Sequence, residues 1–117
     1  MVIDNHGKRI LAQSRPSGTS AASIYSPPDN FYALVYSIVI ANVTGSAANA
    51  SVFLDPDGTT YDQTTALLYA KSIPANDSEF IELTVGLEID AAANIAVQTG
   101  TGSALTFTLM GRVFGTL

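Results

Sequence analysis

The chain of 117 residues contains no cysteine and no tryptophan, a single histidine, and charged groups at only 13% of positions. Without cysteine there are no disulfides and no thiolate metal sites. Small extracellular domains commonly lean on disulfides, so their absence points to assembly in a reducing compartment. A catalytic triad needs an oriented imidazole, which His6, on an N-terminal tail, does not supply. Long hydrophobic runs are also missing. The longest, Tyr32 to Ala41, is too short to cross a bilayer as a helix, and no membrane partner is expected. The opening MVIDNHGKRI carries charge and no apolar block, so no secretory signal is expected.

The scarce charge is unevenly placed. Residues 1–15 hold Lys8, Arg9 and Arg15 against Asp4, whereas the rest holds Lys71 and Arg112 against nine acids. An acidic body lacks the clustered cations that coat nucleic acid, and no nucleic-acid partner is expected. Free domains carry nearer 25% charge. A chain this poor in charge and 47% apolar is expected to lose surface to partner chains.

What the chain does have is β-forming sequence, centred on FYALVYSIVIANVTG, Phe31 to Gly45. In its first twelve residues only Ser37 and Asn42 are strongly polar, and β-branched and aromatic types dominate. Period two places Tyr32, Leu34, Tyr36, Ile38 and Ile40 on one face. Phe31, Ala33, Val35, Ser37, Val39 and Ala41 fall on the other. A strand apolar on both faces needs cover on both, so it is expected at the centre of a sheet. One face would meet the core. The other would meet a terminal arm or a neighbouring subunit, with Phe31, Val35 and Val39 as the subunit-interface residues.

Around it the pattern is strand and turn. Residues 1–23 read as an N-terminal arm, in which Arg9-Ile10-Leu11-Ala12 forms either an edge strand or a strand added to a partner's sheet. The remainder, 24–117, reads as one domain. Strands are expected over Ala22–Ser26, Ala48–Leu54, Ala66–Ile73, Ser78–Gly86 continuing through Leu87–Asp90, Asn94–Thr99 and Ala104–Phe114. The turns are Pro27-Pro28-Asp29-Asn30, Asp55-Pro56-Asp57-Gly58, Pro74-Ala75-Asn76-Asp77 and Gly100-Thr101-Gly102-Ser103. Gly86 marks a bulge or corner. Inward residues are predicted as Ile81, Leu83, Val85, Ile95, Val97, Leu105, Phe107, Leu109 and Val113. Seven to eight strands without an amphipathic helix define an all-β protein, a single antiparallel β-sandwich of jelly-roll-like type with an extended N-terminal arm.

Chemistry-bearing clusters are thin. Asp55, Asp57 and Asp62 lack the further oxygen ligands of a calcium loop and read as a turn. Glu79 and Glu82 are three apart, on opposite faces of a strand, and read as solvated rather than as an acid pair. The sequons at Asn42, Asn49 and Asn76 stand at strand ends, where Asn serves turns. Tyr25, Tyr32, Tyr36, Tyr61 and Tyr69 read as core or interface aromatics. The alternative is a sugar site on Tyr61, Tyr69 or loop Asp residues. No catalytic residue, cofactor or metal site is expected.

Several short motifs in order carry a resemblance: Tyr-x-x-Pro at Tyr25 to Pro28, Ala41-Asn42 closing a strand, Ile-Pro-x-Asn-Asp at Ile73 to Asp77, and Gly-Leu-x-Ile at Gly86 to Ile89. Over residues 9–114 the chain resembles a family of small β-sandwich virion proteins of tailed bacteriophages. The resemblance implies a particle component without catalytic residues. The leading expectation is a capsid decoration (cement) protein on the head surface, a homotrimer assembled in the bacterial cytoplasm. Its partners would be the major capsid protein and itself. Lys8, Arg9, Ile10, Leu11 and Arg15 would contact the capsid or a neighbouring subunit. A tail, neck, baseplate or fibre element and a carbohydrate-binding module are the alternatives.

Overall fold

The structure, a computed structural model, describes residues 2–4 and 9–116, with side chains from residue 9 to 115. His6 and Lys8 lie outside the described residues. The strands are β1 (Val2–Asp4), β2 (Arg9–Ser14), β3 (Ala22–Tyr25), β4 (Phe31–Asn42), β5 (Ala48–Asp55), β6 (Ala66–Ile73), β7 (Ser78–Asp90), β8 (Asn94–Thr99) and β9 (Leu105–Thr116). A single 3-10 turn, Gln63–Thr65, precedes β6. Of the two roles open to Arg9–Ala12, the structure has the edge strand, paired antiparallel to β9 of its own sheet.

Two antiparallel sheets pack face to face. One runs β1-β9-β4-β7, with β2 also on β9; the other runs β3-β8-β5-β6. From β2 onward every connection except β5–β6 crosses from one sheet to the other. That is the double Greek-key winding of a jelly roll. The core between the sheets holds Ala33, Val35, Ile38 and Ile40 of β4, Val52 of β5, Ile95 and Val97 of β8, and Leu105, Phe107 and Leu109 of β9. Fully burying each large apolar side chain contributes about 1.5–3 kcal/mol to holding the two sheets together.

β4 is hydrogen-bonded on both sides, to β7 and β9, as a strand apolar on both faces requires. Its faces are not the two that period two assigns. The register slips between Val35 and Ser37 against both neighbours, so Tyr36 is an extra residue, a β-bulge. A one-residue insertion reverses which side chains face inward. Ala33 and Val35 face the core before it, Ile38 and Ile40 after it. Val35, expected at a subunit interface, is therefore a core residue with 0% exposure. Val39 does lie on the outer face, paired with Thr108 and Phe80. Phe31 stands at the strand's start, half-buried against Gly115.

Opposite the bulge, β7 makes a larger excursion. Leu87 pairs with Val35 and Glu82 pairs with Ser37, leaving Leu83 to Gly86 unmatched. Gly86 adopts φ 79°, a conformation glycine takes without steric cost, and supports the bulge expected there. The rings and chains of Tyr36 and Leu34 lie over it. Val85, predicted inward, is instead 90% exposed, because the excursion lifts it off the sheet. On the other flank Gly111 lets β9 pass close to Leu34 of the bulged strand.

Asn42 ends β4 with its side chain buried and fully used. Its amide donates to the carbonyls of Ser46 (2.8 Å) and Ile73 (3.0 Å), while Oδ1 accepts from the Thr44 N–H (2.9 Å) and hydroxyl (2.8 Å). This ties the end of the first sheet to the end of β6 in the second.

A Cβ at Gly111 would collide with the Leu34 carbonyl oxygen, whereas one at Gly45 meets nothing within 4 Å. Gly111→Ala is expected to lower unfolding free energy by about 3 kcal/mol. Gly45→Ala should stay within about 1 kcal/mol of neutral. Urea unfolding followed by circular dichroism measures both, and equal effects would refute the bulge contact.

Candidate assembly surface

The outer face of the first sheet is built in rows fixed by strand register. One row runs Gln13, Thr108, Val39, Phe80; the next runs Ile10, Met110, Ser37, Glu82. Beyond the bulge come Arg112, Leu34, Glu88 and then Phe114, Tyr32, Asp90. Tyr32 and Phe114 meet edge to face with centroids 5.1 Å apart. The middle of this face is thus apolar or neutral, and its ionised groups lie toward its sides.

The two sides differ in sign. β7, paired only with β4 among the described residues, carries Glu79, Glu82, Glu88 and Asp90. The opposite side carries Arg9 and Arg15, both exposed, and Arg112 on β9. β7 also carries two large apolar side chains in solvent, Phe80 at 62% and Val85 at 90% exposure. A long edge strand with exposed apolar groups is a template for pairing with another chain. Phe80 is not among the residues expected from the sequence, although its position in phase with Glu82 and Thr84 marks an aromatic on the polar face.

Three of the expected contact residues of the N-terminal segment gather at one end of the sandwich. Arg9, Ile10 and Leu11 of β2 line a cavity of about 260 Å³ with Tyr25, Pro28 and Val113. Ile10 is 57% exposed, and Leu11 packs partly against the core. The Tyr25 hydroxyl is buried there without a hydrogen-bond partner among the described residues. Burial raises its pKa, and the nearby Arg9 charge acts in the opposite direction. Arg15 lies apart, in the loop after β2.

The other polar candidates are committed to structure. Asp55 at the end of β5 accepts N–H bonds from Thr60 (2.6 Å) and Asp57 (3.2 Å). Asp62 accepts from the backbone (2.8 Å) and hydroxyl (2.5 Å) of Thr64, capping the 3-10 turn. Those hydrogen bonds hold both carboxyls below their ordinary pKa. Glu79 accepts from Lys71 at 2.9 Å, joining the β7 and β6 edges. Exposed as it is, that pair is worth about 0–1 kcal/mol. Among the described residues no three acidic or imidazole groups are grouped to hold a metal.

No family model and no curated protein matches the chain. Solved structures do. A chain of the Bacillus endospore appendages, a family of disulfide-linked pili, matches with TM-score 0.54 at 18% identity, over 100% of this chain and 89% of its own. A chain of the acid-stable capsid of Helicobacter pylori bacteriophage KHP30 matches with TM-score 0.52 at 11% identity, over 97% and 93%. At these identities the likeness is one of fold: the chain has a β-sandwich of the kind found in pilus and capsid structural proteins.

The captured carboxylate of Asp55 makes stability sensitive to acid. Its proton binds less readily in the folded than in the unfolded chain. Ionised Asp55 therefore stabilises the fold above the ordinary value of 3.8, and the contribution fades as pH falls through the lower folded value. Asp55→Asn should be less stable than the parent at pH 7, with the difference shrinking as pH falls below 3.8. Urea midpoints across that range measure it, and a difference independent of pH would contradict the assignment.

Proposed function

We propose that this chain is a structural subunit of a virus particle, a decoration protein that binds the outer surface of a phage head and stabilises it. Its partners are the major capsid protein and further copies of itself. The observation that carries the reading is the β7 edge, unpaired beyond β4 among the described residues, with Phe80 and Val85 in solvent, beside the neutral outer face of the first sheet. A jelly roll matching a phage capsid chain in fold supports it, as do the few charges and the resemblance to small virion sandwiches.

Charge placement favours a ring over a two-fold dimer. In a two-fold contact through β7, the acids Glu82, Glu88 and Asp90 would face their own copies, which is repulsive. Head to tail, they face the Arg9 and Arg15 side of the next copy. Such heterologous contacts form rings where the rotation closes, and a homotrimer is the form proposed. Ile10 and Val39 lie on the outer face and contribute contact area, whereas Phe31, in phase with Ala33 and Val35, turns to the inner side and Leu11 packs partly on the core. Lys8 belongs to the same basic stretch of sequence. The particle surface of the virion is then the site of action.

A pilus or tail-assembly subunit is the second reading, favoured by the match to the endospore appendage. That family is disulfide-linked, and this chain has no cysteine to form such links.

Sedimentation equilibrium should give a mass near three chains at low salt, falling as salt rises. Phe80→Glu and Val85→Glu should give monomers with unchanged circular dichroism. A parent that stays monomeric at high concentration rules out self-association. Gold-labelled antibody on intact particles should spread over the head. Label at one tail end would favour the second reading, and none on any particle would remove the virion assignment.

A further inference from the structure

The second sheet turns outward a face that the proposed assembly surface does not use. There a shallow cavity of about 230 Å³ is lined by Thr19, Asn49, Ser51, Tyr69, Gln98 and Gly100, among residues that are all uncharged. Asn49 is exposed, and its side-chain amide makes no hydrogen bond to any described residue. Gln98 spends one amide N–H on the Thr19 carbonyl at 3.0 Å, leaving its amide oxygen available.

Tyr69 overlooks this polar floor as a positioned ring. It sits edge-on against Phe53, with centroids 6.4 Å apart and planes at 73°, while 52% of its surface stays open. Phe53 is itself fully buried and is flanked on another side by Tyr61 at 6.3 Å. A bulge aims Tyr69. Ala50 pairs with Lys71 and Val52 with Leu68, so Tyr69 and Ala70 together stand opposite Ser51. Ala70 takes φ 49°, the left-handed region that alanine adopts at a cost, and its N–H is held by the Ser51 hydroxyl at 2.8 Å. Strain maintained beside an open ring and the unused amide of Asn49 is a mark of a binding position.

The geometry points to a binding site for an uncharged saccharide, with one sugar ring stacked on Tyr69 and its hydroxyls bonded to Asn49 and Gln98. Amides both donate and accept, matching sugar hydroxyls, which do the same. The Tyr ring offers an apolar face to the C–H side of the sugar and a hydroxyl at its rim. The cavity lies below the range of about 300–1,000 Å³ typical of enclosed small-ligand pockets, as suits one unit of a longer chain lying across an open sheet. A net charge of −5 opposes anionic polysaccharides.

The full-length chain, labelled with ¹⁵N, is titrated separately with maltotetraose, cellotetraose, chitotetraose and, as the charged comparison, an oligogalacturonate. At least one neutral tetrasaccharide should bind saturably, shifting the amide signals of Asn49, Gln98 and Gly100. Tyr69→Ala should weaken that binding about tenfold or more, and Tyr69→Phe should retain it within about threefold. Asn49→Ala, which removes an exposed group with no internal bond, should weaken it about fivefold without altering the fold. Phe80→Glu and Val85→Glu should bind as the parent does, whatever their state of assembly. No binding by any neutral probe, preference for the oligogalacturonate, or binding unchanged in both alanine variants would overturn the assignment.

Discussion

The structure depends on a single strand having to satisfy two neighbours and two faces at once. β4 donates and accepts along both edges, to β7 and to β9, and cannot shift without breaking a ladder on either side. Its apolar side chains outnumber the places one core offers. The bulge at Tyr36 resolves this by splitting the strand into two halves of opposite phase. Ala33 and Val35 enter the core from the first half, Ile38 and Ile40 from the second. Leu34 and Val39 are left on the outer face. The glycines at 86 and 111 are the accommodation this requires from the neighbours, one in a positive-φ conformation and one in close backbone approach.

From that arrangement the two outer faces acquire different characters. The first sheet presents a neutral, partly apolar middle with acids toward β7 and arginines on the side of β2 and β9, a pattern suited to head-to-tail contact between copies. The second presents the Tyr69 ring and the amides of Asn49 and Gln98 around a shallow cavity. Both faces stand on the same core, so neither needs the other to be engaged. The proposed contacts between copies would use one sheet, and the proposed saccharide site the other.

Much of the fold was legible in the residues. β4, β6 and β8 run over the residues expected from β-branched and aromatic content, and the turns at Asp55–Gly58 and Pro74–Asp77 fall where Pro, Asn, Asp and Gly mark them. The inward set of β9 follows from plain alternation, because that strand has no bulge of its own. Val35 and Val85 could not be placed this way. Alternation carries a phase only until an extra residue is inserted, and a bulge within a run of apolar side chains leaves no mark in their sequence. Gly86 hinted at one, but not at its four-residue extent.

The sequence by itself determined an all-β sandwich with a strand apolar on both sides, an acidic body, and the absence of any thiol. These follow from local preference and composition, which act within a few residues. Only the tertiary structure decided which strands are neighbours, that Phe80 and Val85 lie on a free edge, and that Asn49, Tyr69 and Gln98 meet. Those outcomes depend on pairing between segments twenty to a hundred residues apart, through registers that shift by one wherever a bulge intervenes. Local sequence carries no record of such pairings, because they are selected by the packing of both sheets on one core.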